Sequence, residues 1–132
     1  MVGLDGSAAA LAALEWAAAE AKVHGRPLTV VFAPDPSVYY GYPVAPMAAL
    51  QEAVDASGEA ILDEALAQVF GDKQPARVTR VVCQGNPAGV LIDVAQDASM
   101  LVVGARGHGH FLMGSVSDRC VHHAHCPVVV VR

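Results

Sequence analysis

Apolar residues occur along this chain in two patterns: short continuous runs, and longer stretches where they recur every three or four positions. The first pattern suits strands buried on both faces, the second helices with one apolar side. Met1 to Leu4 is a short apolar strand that stops at Asp5-Gly6. Ser7 stands where a helix N-cap falls, followed by Ala, Leu and Glu at helical density. Leu11, Leu14 and Val23, with Trp16 beside them, supply the stripe this helix should bury, and Gly25 stands where a C-terminal capping glycine falls. Leu28 to Phe32, bounded by Pro27 and Pro34, predicts a fully buried strand, and Asp35 to Pro46 a loop rich in Pro and Tyr. Met47 to Phe70 predicts a long helix, with Leu50, Val54, Ile61, Leu62, Leu66 and Val69 at helical spacing and Gly71 as its stop. Gly58 in its middle costs roughly 1 kcal/mol against Ala and admits a local bend.

The second half repeats the alternation. Arg77 to Cys83 predicts a third strand, and Cys83 within it a small core hydrophobe. Asn86-Pro87 places proline in a first helical turn, and that helix runs to about Asp97. Met100 to Val103 predicts a fourth strand opening into a glycine-rich loop, Gly114 to about Ala124 a last helix, and Val128 to Val131 a last strand. The order β-α-β-α-β-α-β-α-β predicts one α/β domain over residues 1–132, a parallel sheet with helices on both faces. In such doubly wound sheets ligands bind outside the carboxyl ends of the strands, where strand order reverses.

Composition agrees with that class. Of the 132 residues 54% are hydrophobic and only 5% aromatic, so the core is aliphatic. The net charge of −5 comes with no run of Lys or Arg, which argues against nucleic acid and against an anionic membrane surface. Cys83, Cys120 and Cys126 form no Cys-x-x-Cys pair, and their odd number suits reduced thiols. The opening residues lack the basic n-region of a signal peptide, and Glu15 and Glu20 interrupt the Ala-rich stretch that follows. The expectation is a soluble, cytoplasmic protein.

Two strand ends carry candidate chemistry. In Gly3-Leu4-Asp5-Gly6-Ser7, a carboxylate placed just after a buried strand can accept hydrogen bonds from a ribose or help to hold a cation. Asp-Gly is equally a turn former, and Ser7 equally a plain N-cap. In Val103-Gly104-Ala-Arg-Gly107-His-Gly-His-Phe-Leu-Met-Gly114-Ser115-Val116, glycines permit close backbone approach, and Gly114-Ser115 opens a helix whose free N–H groups attract anions. A strand, a glycine loop and a helix N-terminus in succession make a phosphate cradle that needs no lysine.

These segments resemble the universal stress protein family. The resemblance rests on the Val-Gly-x-Asp-Gly-Ser opening, on Gly85-Asn-Pro-Ala88, Val102-Val-Gly-Ala-Arg-Gly107 and Gly114-Ser-Val-Ser117, and on the ending His122-His-Ala-His-Cys-Pro-Val-Val-Val-Val131, in order over the whole chain. It implies a five-stranded sheet of order 3-2-1-4-5, a Rossmann-like arrangement that sets the Asp5 loop beside the Gly104 loop. It further implies an ATP-binding or other adenine-nucleotide-binding regulatory module, with or without Mg2+, at the ends of the first and fourth strands. Gly104, Gly107, Gly114, Ser115 and Val116 would then contact phosphates and ribose. Gly3 and Asp5 would lie near the nucleotide, and Ala33 and Val103 would border the adenine. Members commonly form homodimers by pairing the last strand, here Val128 to Val131.

The nucleotide-binding members carry Gly-x2-Gly-x9-Gly-[Ser/Thr], whereas six residues separate Gly107 from Gly114 here. Three fewer residues shorten the reach by up to about 10 Å. Either the loop is truly shorter, which would weaken or abolish ATP binding, or residues are missing from the chain as given. The short opening strand favours the second. A nucleotide-free dimeric scaffold is therefore the alternative function, and a small adenylating or hydrolysing enzyme a weaker one. No Gly-x4-Gly-Lys-[Ser/Thr] and no nucleophile–base set is legible, so no catalytic residue is assigned. His122, His123, His125, Cys120 and Cys126 do not match a zinc spacing, and no metal site is assigned. Arg106, His108 and His110 could meet phosphates, though solvent exposure explains them as well; Tyr39, Tyr40 and Tyr42 could close over a ligand, but a loop packing its own aromatics onto the surface explains them better.

Overall fold

The computed structural model describes residues 1–35, 47–72, 77–105 and 113–132. Strand β1 (Val2–Leu4) leads into helix α1 (Ala8–Val23), then β2 (Leu28–Phe32), α2 (Met47–Phe70) and β3 (Val78–Val82). Helix α3 (Pro87–Val94) continues as a 3-10 turn over Ala95–Asp97, and β4 (Leu101–Gly104), α4 (Ser115–His123) and β5 (Val128–Val131) complete the chain. Every predicted element is present. Three strands differ from expectation by a residue at their ends: β1 starts at Val2, β3 is shorter by one residue at each end, and β4 is displaced by one towards Gly104, which pairs with Val131. The third helix tightens to a 3-10 turn before Asp97.

The strands form one parallel sheet in the order β3-β2-β1-β4-β5. The order reverses between β1 and β4, which opens a crevice at their carboxyl ends. One face of the sheet is covered by α1 and α2, where Ala10, Ala13, Leu14, Ala17, Leu62 and Leu66 meet Val2, Leu4, Val30 and Val102. The other is covered by α3 and α4, where Ala88, Leu91 and Cys120 meet Val31, Leu101 and Val103. Successive strand residues thus feed opposite cores, as a period of two requires.

The buried stripe of α1 differs from the expected one. Leu14 is buried, but the rest of the contact face is Ala10, Ala13 and Ala17, while Trp16 is 38% and Val23 77% exposed. Alanines let the helix backbone lie close to the sheet, and Val23 sits in the last turn beyond the strands. Cys83 is likewise corrected: it follows β3 and is exposed. Gly58 in α2 is buried, and a Cβ there would stand 2.8 Å from Phe32 Cδ1 and 3.0 Å from Val82 Cγ1. Its role is close packing of α2 on β2 and β3.

Candidate functional site

The corner after β1 is built by its own side chains. Asp5 Oδ1 accepts from Ser7 N at 2.9 Å, and Ser7 Oγ accepts from Ala10 N at 3.2 Å. Gly6 takes φ +80°, which an L side chain rarely adopts. The Asp-Gly turn and the serine cap are therefore one device: they end the strand, start α1 and fix the exposed carboxylate at the sheet's carboxyl edge. A groove of about 500 Å³ opens beside this corner, lined by Asp5, Ser7, Leu11, Ile61, Glu64 and Gln68. It joins α1 to α2, distant in sequence, and no local pattern could have revealed it.

The end of β4 lies against the same corner. A Cβ on Gly104 would stand 2.7 Å from the carbonyl carbon of Ala9 and 2.9 Å from Ala10 N, so only glycine lets the strand meet the first turn of α1. The glycine predicted as a ligand contact is thus also required by backbone packing. Beyond it, Ala105 N donates to Val131 O, and Ala105 O accepts from Gly114 N at 2.8 Å. Helix α4 starts there with Gly114 as N-cap, which makes no side-chain capping bond. The first i→i−4 bond of α4 runs from Asp118 N to Gly114 O at 2.9 Å, so the amides of Ser115, Val116 and Ser117 have no acceptor within the helix. Together with the helix dipole, they form a site suited to an anion.

The topology brings together the ends of β1 and β4 and the start of α4, hence Asp5, Gly104, Gly114, Ser115 and Val116. It gives several of the expected contacts to backbone alone. Val103 is buried in the core under α3 and α4, and Val116 packs against that core. A Cβ on Gly3 would meet Leu91 of α3 at 2.8 Å. Ala33 follows β2, where Phe32 O accepts from Cys83 N and Pro34 O from Gly85 N, so the β2–β3 ladder holds it in place. Gly107, with Arg106, His108 and His110, lies outside the described residues, as do Tyr39, Tyr40 and Tyr42. The sequence as given runs unbroken from Gly107 to Gly114, with six residues between them.

Among the described residues no group of three or more His, Cys, Asp or Glu side chains is placed to hold a metal. His122 Nδ1 sits 2.8 Å from Asp118 O, a local helix contact, and His122, His123 and His125 are exposed. Ser117 was read only as part of a helix start. Its hydroxyl is buried and bonded to Ala105 O and Gly114 O, a long-range role that spacing does not disclose.

The universal stress protein family model matches residues 1–132. A universal stress protein of Mycobacterium tuberculosis is 38% identical over 138 residues, covering 99% of this chain and 46% of the relative. One from Mycolicibacterium smegmatis is 36% identical, covering 99% and 47%. The chain spans about half the length of the curated relatives it matches. Among solved structures, UspA from Lactobacillus plantarum superposes with a TM-score of 0.81 at 26% identity, covering 99% of this chain and 96% of that one. The universal stress protein from Archaeoglobus fulgidus in complex with dAMP gives 0.67 at 25% identity, covering 99% and 94%. With the match of the family model over the whole length and the shared sheet order, this chain belongs to the universal stress protein family.

Proposed function

We propose that this chain is an adenine-nucleotide-binding regulatory module of the stress response, with ATP as its first candidate ligand. The observation that carries the reading is the junction of β4 and α4 at the switch point, where the free amides of Ser115 and Val116 stand beside the closely packed ends of β1 and β4. The dAMP complex of the Archaeoglobus fulgidus relative supports an adenine nucleotide as the ligand class. Phosphate would meet the first turn of α4 through backbone N–H groups, and Asp5 at the neighbouring corner suits a ribose hydroxyl or a Mg2+ companion. The module works as a sensor: occupancy alters conformation or partner choice, and turnover is at most slow and incidental. Homodimerisation through β5 and a cytoplasmic location belong to the same reading. Among the described residues no helix is long and apolar enough to cross a membrane.

A second reading, a nucleotide-free dimeric scaffold, draws on the six-residue spacing before Gly114. The two are separated by denaturing the purified protein, chromatographing what it releases, and titrating the stripped protein with ATP while following thermal unfolding. Released adenine nucleotide or an ATP-dependent rise in the midpoint supports the module. Neither, at millimolar ATP, supports the scaffold.

A further inference from the structure

Ser117 is the one fully buried polar side chain among the described residues, at 2% exposure. A polar group is retained in such a place when it is hydrogen-bonded, and its partners then indicate its role. The Ser117 hydroxyl lies 2.9 Å from Gly114 O, one turn back in the chain, and 3.2 Å from Ala105 O, across the junction with β4. Ala105 O also accepts from Gly114 N at 2.8 Å, and Ala105 N donates to Val131 O. The two ends of the segment between β4 and α4 are thus tied to each other, and to β5, through the backbone of one residue, Ala105.

From this geometry we infer that Ser117 is a positioning residue for phosphate recognition, acting through Ala105 and Gly114 and touching no ligand itself. The inference rests on the nucleotide reading above. Its hydroxyl proton is shared between carbonyls on the two sides of the junction, so it sets where the first-turn amides of α4 stand relative to the end of β4. With three residues fewer between Gly107 and Gly114 than the nucleotide-binding pattern has, the segment itself reaches less far. The amides of Ser115 and Val116 then carry a larger share of phosphate binding, and their placement matters more.

Removing the hydroxyl leaves neither carbonyl without a donor. Ala105 O keeps Gly114 N, and Gly114 O keeps Asp118 N at 2.9 Å. Ser117→Ala is therefore expected to fold, with the cross-junction restraint lost. The test is calorimetric titration of wild-type protein, S117A and S117T with ATP and, separately, with adenosine. In S117A, ATP binding is expected to weaken about tenfold while adenosine binding stays unchanged. Thr in a helix can direct its hydroxyl to the carbonyl three residues back, so S117T is expected to recover most of the ATP affinity. An unchanged ratio of ATP to adenosine affinity in S117A overturns the inference and leaves the nucleotide reading standing. An S117A protein that does not fold, or that loses both affinities together with its thermal midpoint, marks a purely structural hydroxyl and also overturns it. Failure of both ligands to bind the wild-type protein overturns the nucleotide reading, and this inference with it.

Discussion

Gly104 ends β4 and Gly3 is the middle residue of β1, and both resemble ligand contacts in the sequence. A Cβ at Gly104 meets the backbone of Ala9 and Ala10, which cannot move without displacing α1, whereas one at Gly3 meets the end of a flexible Leu91 side chain. Gly104→Ala is expected to destabilise the fold by about 1–3 kcal/mol, and Gly3→Ala by clearly less. Urea denaturation of the two variants at equal m-value measures the difference. Cys120 shows a second residue-scale effect. Burial pushes its thiol up to about 11 from an ordinary 9.0, and Arg119 only partly offsets this. Above pH 9 the unfolded chain releases this proton while the folded protein holds it. Its contribution is therefore complete below pH 9 and is lost as pH rises through 11. Cys120→Ala should flatten that part of the stability–pH curve, as followed by denaturation at pH 8, 9.5 and 10.5.

At the scale of elements, each helix start was legible because the signal is local. Ser7 caps α1 by accepting from Ala10 N, and Asn86 caps α3 by accepting from Gly89 N at 3.1 Å. What a helix buries is not local. Spacing in α1 points to Leu11, Leu14 and Val23 with Trp16, yet of these only Leu14 is fully buried and the rest of the contact face is alanine, because contact area depends on how near the backbone comes. Gly58 in α2 makes the same point. Intrinsic propensity predicts that Gly58→Ala gains roughly 1 kcal/mol. The contacts with Phe32 and Val82 predict the opposite sign, a loss of about 1–3 kcal/mol from overpacking. Thermal unfolding of G58A distinguishes the two, and a higher midpoint would mean that α2 is free to move outward.

At the scale of the molecule, β5 is an edge strand of four valines, each half-buried and paired only with β4 among the described strands. Apolar unpaired edges associate. Light scattering at micromolar concentration is expected to give twice the monomer mass, and a monomeric mass would sink the proposed homodimer. The sequence by itself determined the alternation of strands and helices, their approximate limits, the aliphatic core and the two loops that carry candidate chemistry. Periodicity, capping and turn residues act between neighbours in the chain, so they can be read there. The family resemblance supplied the strand order that these local signals leave open. Only the tertiary structure decided that Gly104 serves packing against α1, that Val103 and Val116 face the core, and that Ser117 holds β4 to α4. Each of these depends on an atom contributed by a distant segment, and the distance between two segments is not encoded in the pattern of either one.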